Sequence, residues 1–306
     1  MRTKGLIAAV PTAFQEDGSV DLQAIGPMAG HVGQIGCAGV FVNGTTGESM
    51  SLTVEEREQT LVEWRRVWPE DRLLFAHVGH NSLEDAKRLA RHARETGVDA
   101  VAAIAPSFFK PAGIEGMVQW CEQVAASVPD VPFYFYHMPA LTGSAFSVAR
   151  FLEQSAPRIP NLAGVKYTHE TLGDYMESLR LENKRFDMLW GRDEMLLAAW
   201  AMGARAATGS TFSLAAPLYL ELMVAFERGD MAAAREAQAR AISMINALAA
   251  TGNFFAALKQ ALRDQGLPIR PDTRRPLTPV CKEAMAACRK AVNRLIGAGS
   301  CKTSFA

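Results

Sequence analysis

A lysine stands near the end of an otherwise apolar run, Leu162-Ala163-Gly164-Val165-Lys166-Tyr167-Thr168. Such a run reads as a buried strand, and an ammonium buried without a partner is strongly unfavourable. The usual escape is a lowered pKa, which leaves a neutral amine able to attack a carbonyl carbon. The plainer reading is an edge-strand lysine whose head reaches solvent. Three other stretches favour the amine nucleophile, because they carry the groups that such a lysine needs.

The first is Asn43-Gly44-Thr45-Thr46-Gly47-Glu48. Two glycines bracket two hydroxyls, so the turn can offer backbone N–H groups and both the Thr45 and Thr46 hydroxyls to one small anion. The alternative is a tight turn in which Thr46 caps the next helix. The second is Tyr134-Phe135-Tyr136-His137-Met138-Pro139-Ala140-Leu141-Thr142-Gly143. Strand alternation puts Tyr134 and Tyr136 on one face and Phe135 and His137 on the other. A tyrosine aimed at a buried amine can act as a general acid/base when its phenol is hydrogen-bonded, or it can simply fill the interior. The third is Trp190-Gly191-Arg192-Asp193-Glu194. Adjacent carboxylates beside a glycine suit polyol hydroxyls, a base's proton or, for Asp193, the cap of a following helix. Gly209-Ser210-Thr211 is again small and hydroxylic. The histidines assemble no metal set. His77 and His80 straddle one strand end with no carboxylate or thiol to complete a site, and His31 and His92 fall within helices. His137 and His169 adjoin the other candidates, and no metal is expected.

The elements that must position these groups are eight apolar, β-rich runs: Leu6–Phe14, Gly39–Asn43, Leu73–Val78, Ala100–Ala105, Pro132–His137, Leu162–Thr168, Phe186–Gly191 and Ala206–Ser210. Continuous rather than alternating hydrophobicity marks parallel strands covered on both faces. Helical periods fill the gaps, most clearly at Asp21–Val32, Val54–Val67 and Leu83–Thr96. Thr53-x-x-Glu56 and Ser82-x-x-Asp85 are start signals, and Gly97 is a stop. A doubly wound open sheet would carry a Gly-rich phosphate loop after its first strand, where this chain has Pro11-Thr12-Ala13-Phe14. The expected fold is therefore α/β, a (β/α)8 TIM barrel over residues 1–228, its eighth helix near Leu218–Arg228. A C-terminal extension of about three helices follows over 229–306, at Met231–Ala250, Phe254–Gln265 and Cys281–Ile296. Leu267–Pro279 reads as a Pro/Arg-rich connection and Gly297 onward as a frayed tail.

Composition narrows the class. The chain is 49% hydrophobic and 21% charged, with 32 basic and 32 acidic side chains. Zero net charge and no basic block argue against nucleic acid or an anionic membrane as partner. No run approaches the ~20 apolar residues of a membrane span. Met1-Arg2-Thr3-Lys4-Gly5 leads straight into a strand-like segment, with no signal-peptide cleavage site. Five cysteines without a Cys-x-x-Cys pair read as free thiols of a reducing cytosol, so a cytoplasmic location is expected. Cys281 and Cys288, seven apart, are expected to share the buried face of one helix.

Gly44-Thr45-Thr46-Gly47-Glu48, Tyr136, Gly164-Val165-Lys166 and Gly209-Ser210-Thr211, in that order between Gly5 and about Ile296, resemble the N-acetylneuraminate lyase and dihydrodipicolinate synthase family of Schiff-base aldolases. The resemblance implies a (β/α)8 barrel with a helical extension, usually a homotetramer, working on a small-molecule substrate with no metal and no organic cofactor. It implies that Lys166 forms an imine with the keto group of pyruvate and that Tyr136 relays protons beside it. Thr45 and Thr46, with neighbouring amides, would hold the pyruvate carboxylate. A protonated imine is an electron sink, so the retro-aldol carbanion is stored as an enamine.

Within the family, strand five separates the branches. The synthase branch resembles Tyr-Asn-x-Pro-x-Arg, whose arginine grips the carboxylate of an amino-acid-derived aldehyde. Here Ala140-Leu141-Thr142-Gly143 follows Pro139 without it. Tyr136–Gly143, Phe41–Glu48 and Ile104–Pro111 are similar to the sialic acid lyases, those of the animal-type branch in particular. By the same resemblance Thr168, Gly191, Asp193, Glu194 and Ser210 contact the polyhydroxylated tail of a sugar acid. The implied reaction is cleavage of N-acetylneuraminate to N-acetylmannosamine and pyruvate. Another 2-keto-acid aldolase or dehydratase of this fold is the alternative, and a non-catalytic sugar-acid sensor is a remote one, given Lys166 and Tyr136 together. Three features depart from the pattern. Phe212 stands where a tyrosine is common, and Arg192 intervenes between Gly191 and Asp193. Ser107-Phe108-Phe109 lacks the tyrosine that many relatives send across a dimer interface.

Overall fold

Each of the eight apolar runs becomes a strand, and the strands close into one parallel barrel in the computed structural model, which describes residues 2–297. They are β1 (Gly5–Ala9), β2 (Gly39–Val42), β3 (Leu73–His77), β4 (Ala100–Ile104), β5 (Phe133–His137), β6 (Leu162–Tyr167), β7 (Asp187–Trp190) and β8 (Ala206–Gly209). They pair in sequence order, and β8 returns to β1 with Gly5 opposite Ala206. β1 is shorter than its apolar run. The chain leaves the sheet near Pro11, which has no N–H to give a ladder, and Phe14 makes only an isolated bridge to Val20.

The surrounding helices are α1 (Ile25–Gln34), α2 (Val54–Val67), α3 (Leu83–Thr96), α4 (Gly113–Ala126), α5 (Pro139–Thr142), α6 (Val148–Ser155), α7 (Leu172–Arg180), α8 (Leu196–Met202) and α9 (Phe212–Glu227). Local chemistry fixes their ends. Thr53 and Glu56 exchange both bonds of a capping box at the start of α2. Ser82 accepts from the Asp85 N–H at the start of α3, and Gly97, at φ 79°, ends that helix in the left-handed region. The helix expected over Asp21–Val32 begins instead as a 3-10 turn, Leu22–Ala24, because the Asp21 carboxylate takes the Gln23 N–H. The eighth barrel helix starts at Phe212, six residues before the expected Leu218. The extension comprises α10 (Met231–Ala249), α11 (Phe254–Asp264) and α12 (Lys282–Gly297). Cys281 is exposed and precedes α12, whereas Cys288 is buried, so the expected shared face does not form. Gly297 still belongs to α12, and the rest of the expected tail, with Cys301, lies outside the described residues.

Two apolar layers result. Ile7, Phe41, Phe75, Tyr134 and Leu189 fill the barrel, while Phe133, Phe135, Tyr167 and Trp190 face the helices. Phe75 meets Tyr134 edge to face at 5.3 Å, and emptying such a site as in Phe75→Ala costs about 3–5 kcal/mol. Below them Asp187 Oδ2 accepts from the Tyr134 hydroxyl at 2.8 Å and from the Thr3 N–H at 3.0 Å, sealing the floor. The open end of the chamber therefore lies at the C-terminal ends of the strands, where barrels of this architecture carry their chemistry. The extension reaches this end from outside. Gln238 of α10 donates to the Asp193 carbonyl at 3.2 Å and accepts from the Leu197 N–H at 2.8 Å.

Candidate active site

Lys166 points inward from β6, between β5 and β7, and lies opposite Tyr136 in the β5 register. It is 3% exposed, which overturns the reading of an edge-strand lysine reaching solvent. Its Nζ lies 3.8 Å from the centroid of the Phe41 ring and 4.1 Å from that of Tyr136. Burial pushes the amine down to about 7, with the Asp193 carboxylate opposing the shift. Its neighbour Tyr167 points the other way, stacks on Trp190 at 5.9 Å and donates to the Thr171 carbonyl. One residue of strand alternation thus separates a group packed against the helices from an amine that faces the chamber.

Tyr136 is equally enclosed, and burial pushes its phenol up to about 12, so it is protonated near neutral pH. Its hydroxyl lies 3.1 Å from Thr45 Oγ1 and 3.1 Å from Met138 Sδ. Thr46 Oγ1 meets Ser210 Oγ at 2.7 Å, so the turn after β2 spans the mouth from β5 to β8. Within that turn the Gly47, Glu48 and Ser49 amides are spent on the Gly44 and Thr45 carbonyls. The Thr45 and Thr46 amides donate to no backbone carbonyl of the described residues, as an anion cradle requires. Thr46 caps no helix; the N-cap of α2 is Thr53. Asn43 and Glu48 bracket the turn with φ of 57° and 54°, a conformation costing roughly 1–2 kcal/mol for a non-glycine residue.

Asp193 does not cap its own helical turn. Its Oδ2 accepts from the Thr211 N–H at 2.9 Å and the Thr211 hydroxyl at 2.6 Å, and that hydroxyl in turn accepts from Tyr219 at 2.5 Å. Burial raises the carboxyl to about 6 against the pull of these Thr211 bonds. Two glycines make room. A Cβ at Gly209 would lie 1.9 Å from Asp193 Oδ1, and one at Gly191 would lie 1.9 Å from Thr168 Oγ1. The buried Thr168 hydroxyl has no hydrogen-bond partner among the described residues. Glu194 stands apart at the rim. Arg192 holds it through Nε at 3.0 Å and Nη2 at 2.8 Å, and extends Nη1 to Glu170 at 3.0 Å. Lys166, Tyr136, Thr45, Thr46, Thr168, Gly191, Asp193 and Ser210 therefore share one chamber end, with Glu194 on its edge.

Sequence reasoning passed over several groups here. Phe41 supplies the ring face under Lys166. His77, weighed only as a metal ligand, lines the chamber edge-on to Tyr136 at 5.8 Å and binds the Asn43 carbonyl at 2.8 Å through Nδ1. Burial holds its imidazole well below the usual range. Arg57 is wholly buried on α2, donates to the Gly79 and His77 carbonyls, and is pushed down to about 9 by burial. Its spacing with Leu61 and Trp64 marked it as a core-facing position. His137 faces outward among Phe135, Phe146 and Tyr167, away from the chamber, and is pushed down to about 4 by burial. Phe108 and Phe109, in the stretch that departs from the family pattern, are 77% and 85% exposed and stack edge to face at 4.9 Å.

The Dihydrodipicolinate synthetase family profile matches residues 2–295. N-acetylneuraminate lyase A of Xenopus laevis is 37% identical over 90% of this chain and 91% of its own length. The N-acetylneuraminate lyase of Mus musculus is 35% identical over 93% and 90%. Among solved structures, Proteus mirabilis N-acetylneuraminate lyase superposes with a TM-score of 0.93 at 36% identity, covering 96% of this chain and 99% of that one. The Aliivibrio salmonicida N-acetylneuraminate lyase (sialic acid aldolase) gives 0.93 at 34% identity, over 96% and 97%. With the fold, the order of the motifs and a match across nearly its whole length in agreement, the chain belongs to the dihydrodipicolinate synthetase family.

Proposed function

We propose that this protein is an N-acetylneuraminate lyase, a class I carbon–carbon lyase that cleaves sialic acid to N-acetylmannosamine and pyruvate. The observation that carries the reading is Lys166, a buried amine lowered to about 7 and set against the Tyr136 ring at the open end of the barrel. At neutral pH a large share of it is neutral and nucleophilic. It attacks the keto carbon of the open-chain sugar acid, a C–N bond forms, and the carbonyl oxygen takes up protons and leaves as water. Tyr136, protonated and 3.1 Å from Thr45, donates to that oxygen and afterwards accepts the proton of the hydroxyl beside the scissile bond. The electrons of the carbon–carbon bond then flow to the iminium nitrogen, and N-acetylmannosamine departs. Protonation of the resulting enamine and hydrolysis of the imine release pyruvate and restore the amine.

In this reading Thr45 and Thr46 hold the carboxylate of the keto acid, while Thr168, Gly191, Asp193, Glu194 and Ser210 line the path of the hydroxylated tail. The unpartnered Thr168 hydroxyl supports that assignment, because a buried polar atom is costly until a ligand satisfies it. We assign residues 1–228 to the catalytic barrel and 229–306 to the extension, with the break at Gly229 between α9 and α10. We further infer a cytoplasmic homotetramer. Buried Cys37, Cys121 and Cys288 suit a reducing compartment, and the exposed Phe108–Phe109 pair suits coverage by another copy. Light scattering on the purified chain tests the assembly.

The test of function is incubation with N-acetylneuraminate. The expected result is pyruvate and N-acetylmannosamine in equal amounts. No release from N-acetylneuraminate, with release from another 2-keto-3-deoxy sugar acid, would move the chain to a different aldolase of this fold.

A further inference from the structure

Glu48 ends the turn that carries Thr45 and Thr46, yet both its carboxylate oxygens are taken by the C-terminal extension. Oε1 accepts from Lys259 of α11 at 2.6 Å, and Oε2 accepts from the Arg274 N–H at 2.9 Å. The two side chains are 1% and 0% exposed. Lys259 also donates to the Asp272 carbonyl at 2.8 Å and lies over the Phe14 ring at 4.4 Å. The Arg274 guanidinium adds a second link, to the Ser51 carbonyl at 3.0 Å and the Gly18 carbonyl at 2.8 Å. The backbone of Glu48 sits at φ 54°, a region that non-glycine residues avoid unless their surroundings impose it.

Stability alone does not account for this pair. Replacing a buried ion pair by well-packed apolar residues is often neutral or stabilising, because desolvation offsets the attraction. What the pair supplies is direction: it fixes one end of a turn whose two free amides must point at one anion.

We propose that Glu48 and Lys259 are positioning residues, through which the helical extension sets how tightly the turn after β2 holds the carboxylate of the keto acid. This rests on the reading of Thr45 and Thr46 given above. The pair touches no reacting atom and acts only through the turn. Binding of the shared carboxylate end should weaken, while the chemistry at Lys166 is spared.

The experiment is borohydride trapping of pyruvate on Lys166 across a pyruvate titration, with thermal melting of the same samples. The variants are Glu48→Gln/Lys259→Met and Glu48→Gln. The double variant leaves no lone buried charge, so it is expected to melt close to wild type. It is expected to need about tenfold more pyruvate for half-maximal trapping, with the limiting adduct per chain unchanged. With N-acetylneuraminate its KM rises by a similar factor while kcat stays within about threefold, the mark of lost uniform binding. Wild-type half-saturation in the double variant would make the pair a mere strut and overturn the proposal. Where the double variant does not fold, Glu48→Gln alone decides, with a smaller rise in half-saturating pyruvate expected and no rise overturning the proposal. Wild-type protein that traps no pyruvate would defeat the active-site reading itself, and the positioning role with it. Normal wild-type trapping with unshifted variants would defeat the positioning role alone.

Discussion

After β2, Glu48 and Lys259 meet at 2.6 Å with almost no access to water; after β7, Arg192 and Glu194 meet at 2.8 Å with 28% and 34% of their side chains exposed. Coulomb attraction scales inversely with the effective dielectric, so near-equal distances have different consequences. The buried pair can adopt one arrangement only, because separating its charges leaves each unsolvated. The half-exposed pair contributes about 0–1 kcal/mol and exchanges readily with water or a ligand hydroxyl. In the proposed site the keto-acid end is thus built in advance, whereas the tail end can rearrange around its substrate. A chemistry shared across a family needs the first kind of construction, and a choice among related sugar acids suits the second.

Breaking the rigid end should have the larger effects. Lys166→Ala removes the proposed nucleophile and is expected to lower kcat for N-acetylneuraminate by at least ~10⁴-fold, with little change in melting temperature. Residual turnover close to wild type would place the nucleophile elsewhere. Tyr136→Phe keeps the ring against Lys166 and deletes the hydroxyl bound to Thr45, so kcat is expected to fall by about 10²–10⁴-fold with KM moving less. A kcat near wild type would reduce Tyr136 to barrel filling.

Changes at the rim should be smaller and confined to the tail. Glu194→Ala is expected to lower kcat/KM for N-acetylneuraminate by about tenfold or more, because the substrate hydroxyls that the proposed site pairs with its carboxylate would lose their partner. Pyruvate trapping at Lys166 should be unchanged in the same variant, and equal losses in both assays would assign Glu194 to the chamber instead. The smallest effect is expected for Arg192→Met, which releases Glu194 and Glu170. Loss of a half-exposed ion pair corresponds to no more than about fivefold in kcat/KM. A larger loss would mean that the arginine itself contacts the substrate.

The same contrast decides what could be read from the chain. The strands were legible because continuous apolar runs are hard to explain except as buried parallel strands. Lys166 and Tyr136 stood out against that background, and strand alternation separated Tyr134 and Tyr136 on one face from Phe135 and His137 on the other, which the closed barrel turns into inside and outside. The ends of elements were less legible, as β1 and the start of α9 illustrate, since Val10 just beyond β1 and Leu214 in the first turn of α9 are equally apolar. Long-range partners were not legible. Lys259 shares a helix face with Ala256 and Leu262, which signals burial, but its partner is 211 residues away. Asp193 offered itself equally as a helix cap, and only the fold brings Thr211 to it. Cys281 misled because helical spacing predicts a shared face only where both residues lie in the helix.

The most direct test of the account is the pH dependence of pyruvate trapping with borohydride, followed by mapping of the adduct. One adduct per chain is expected, on Lys166. Because burial lowers this amine to about 7, the neutral form accumulates as pH rises, so the rate of imine formation should climb through about pH 7 and level off above it. An adduct on another lysine, or a rate still climbing toward the ordinary lysine value of 10.5, would contradict the claim that a buried, neutral Lys166 is the nucleophile.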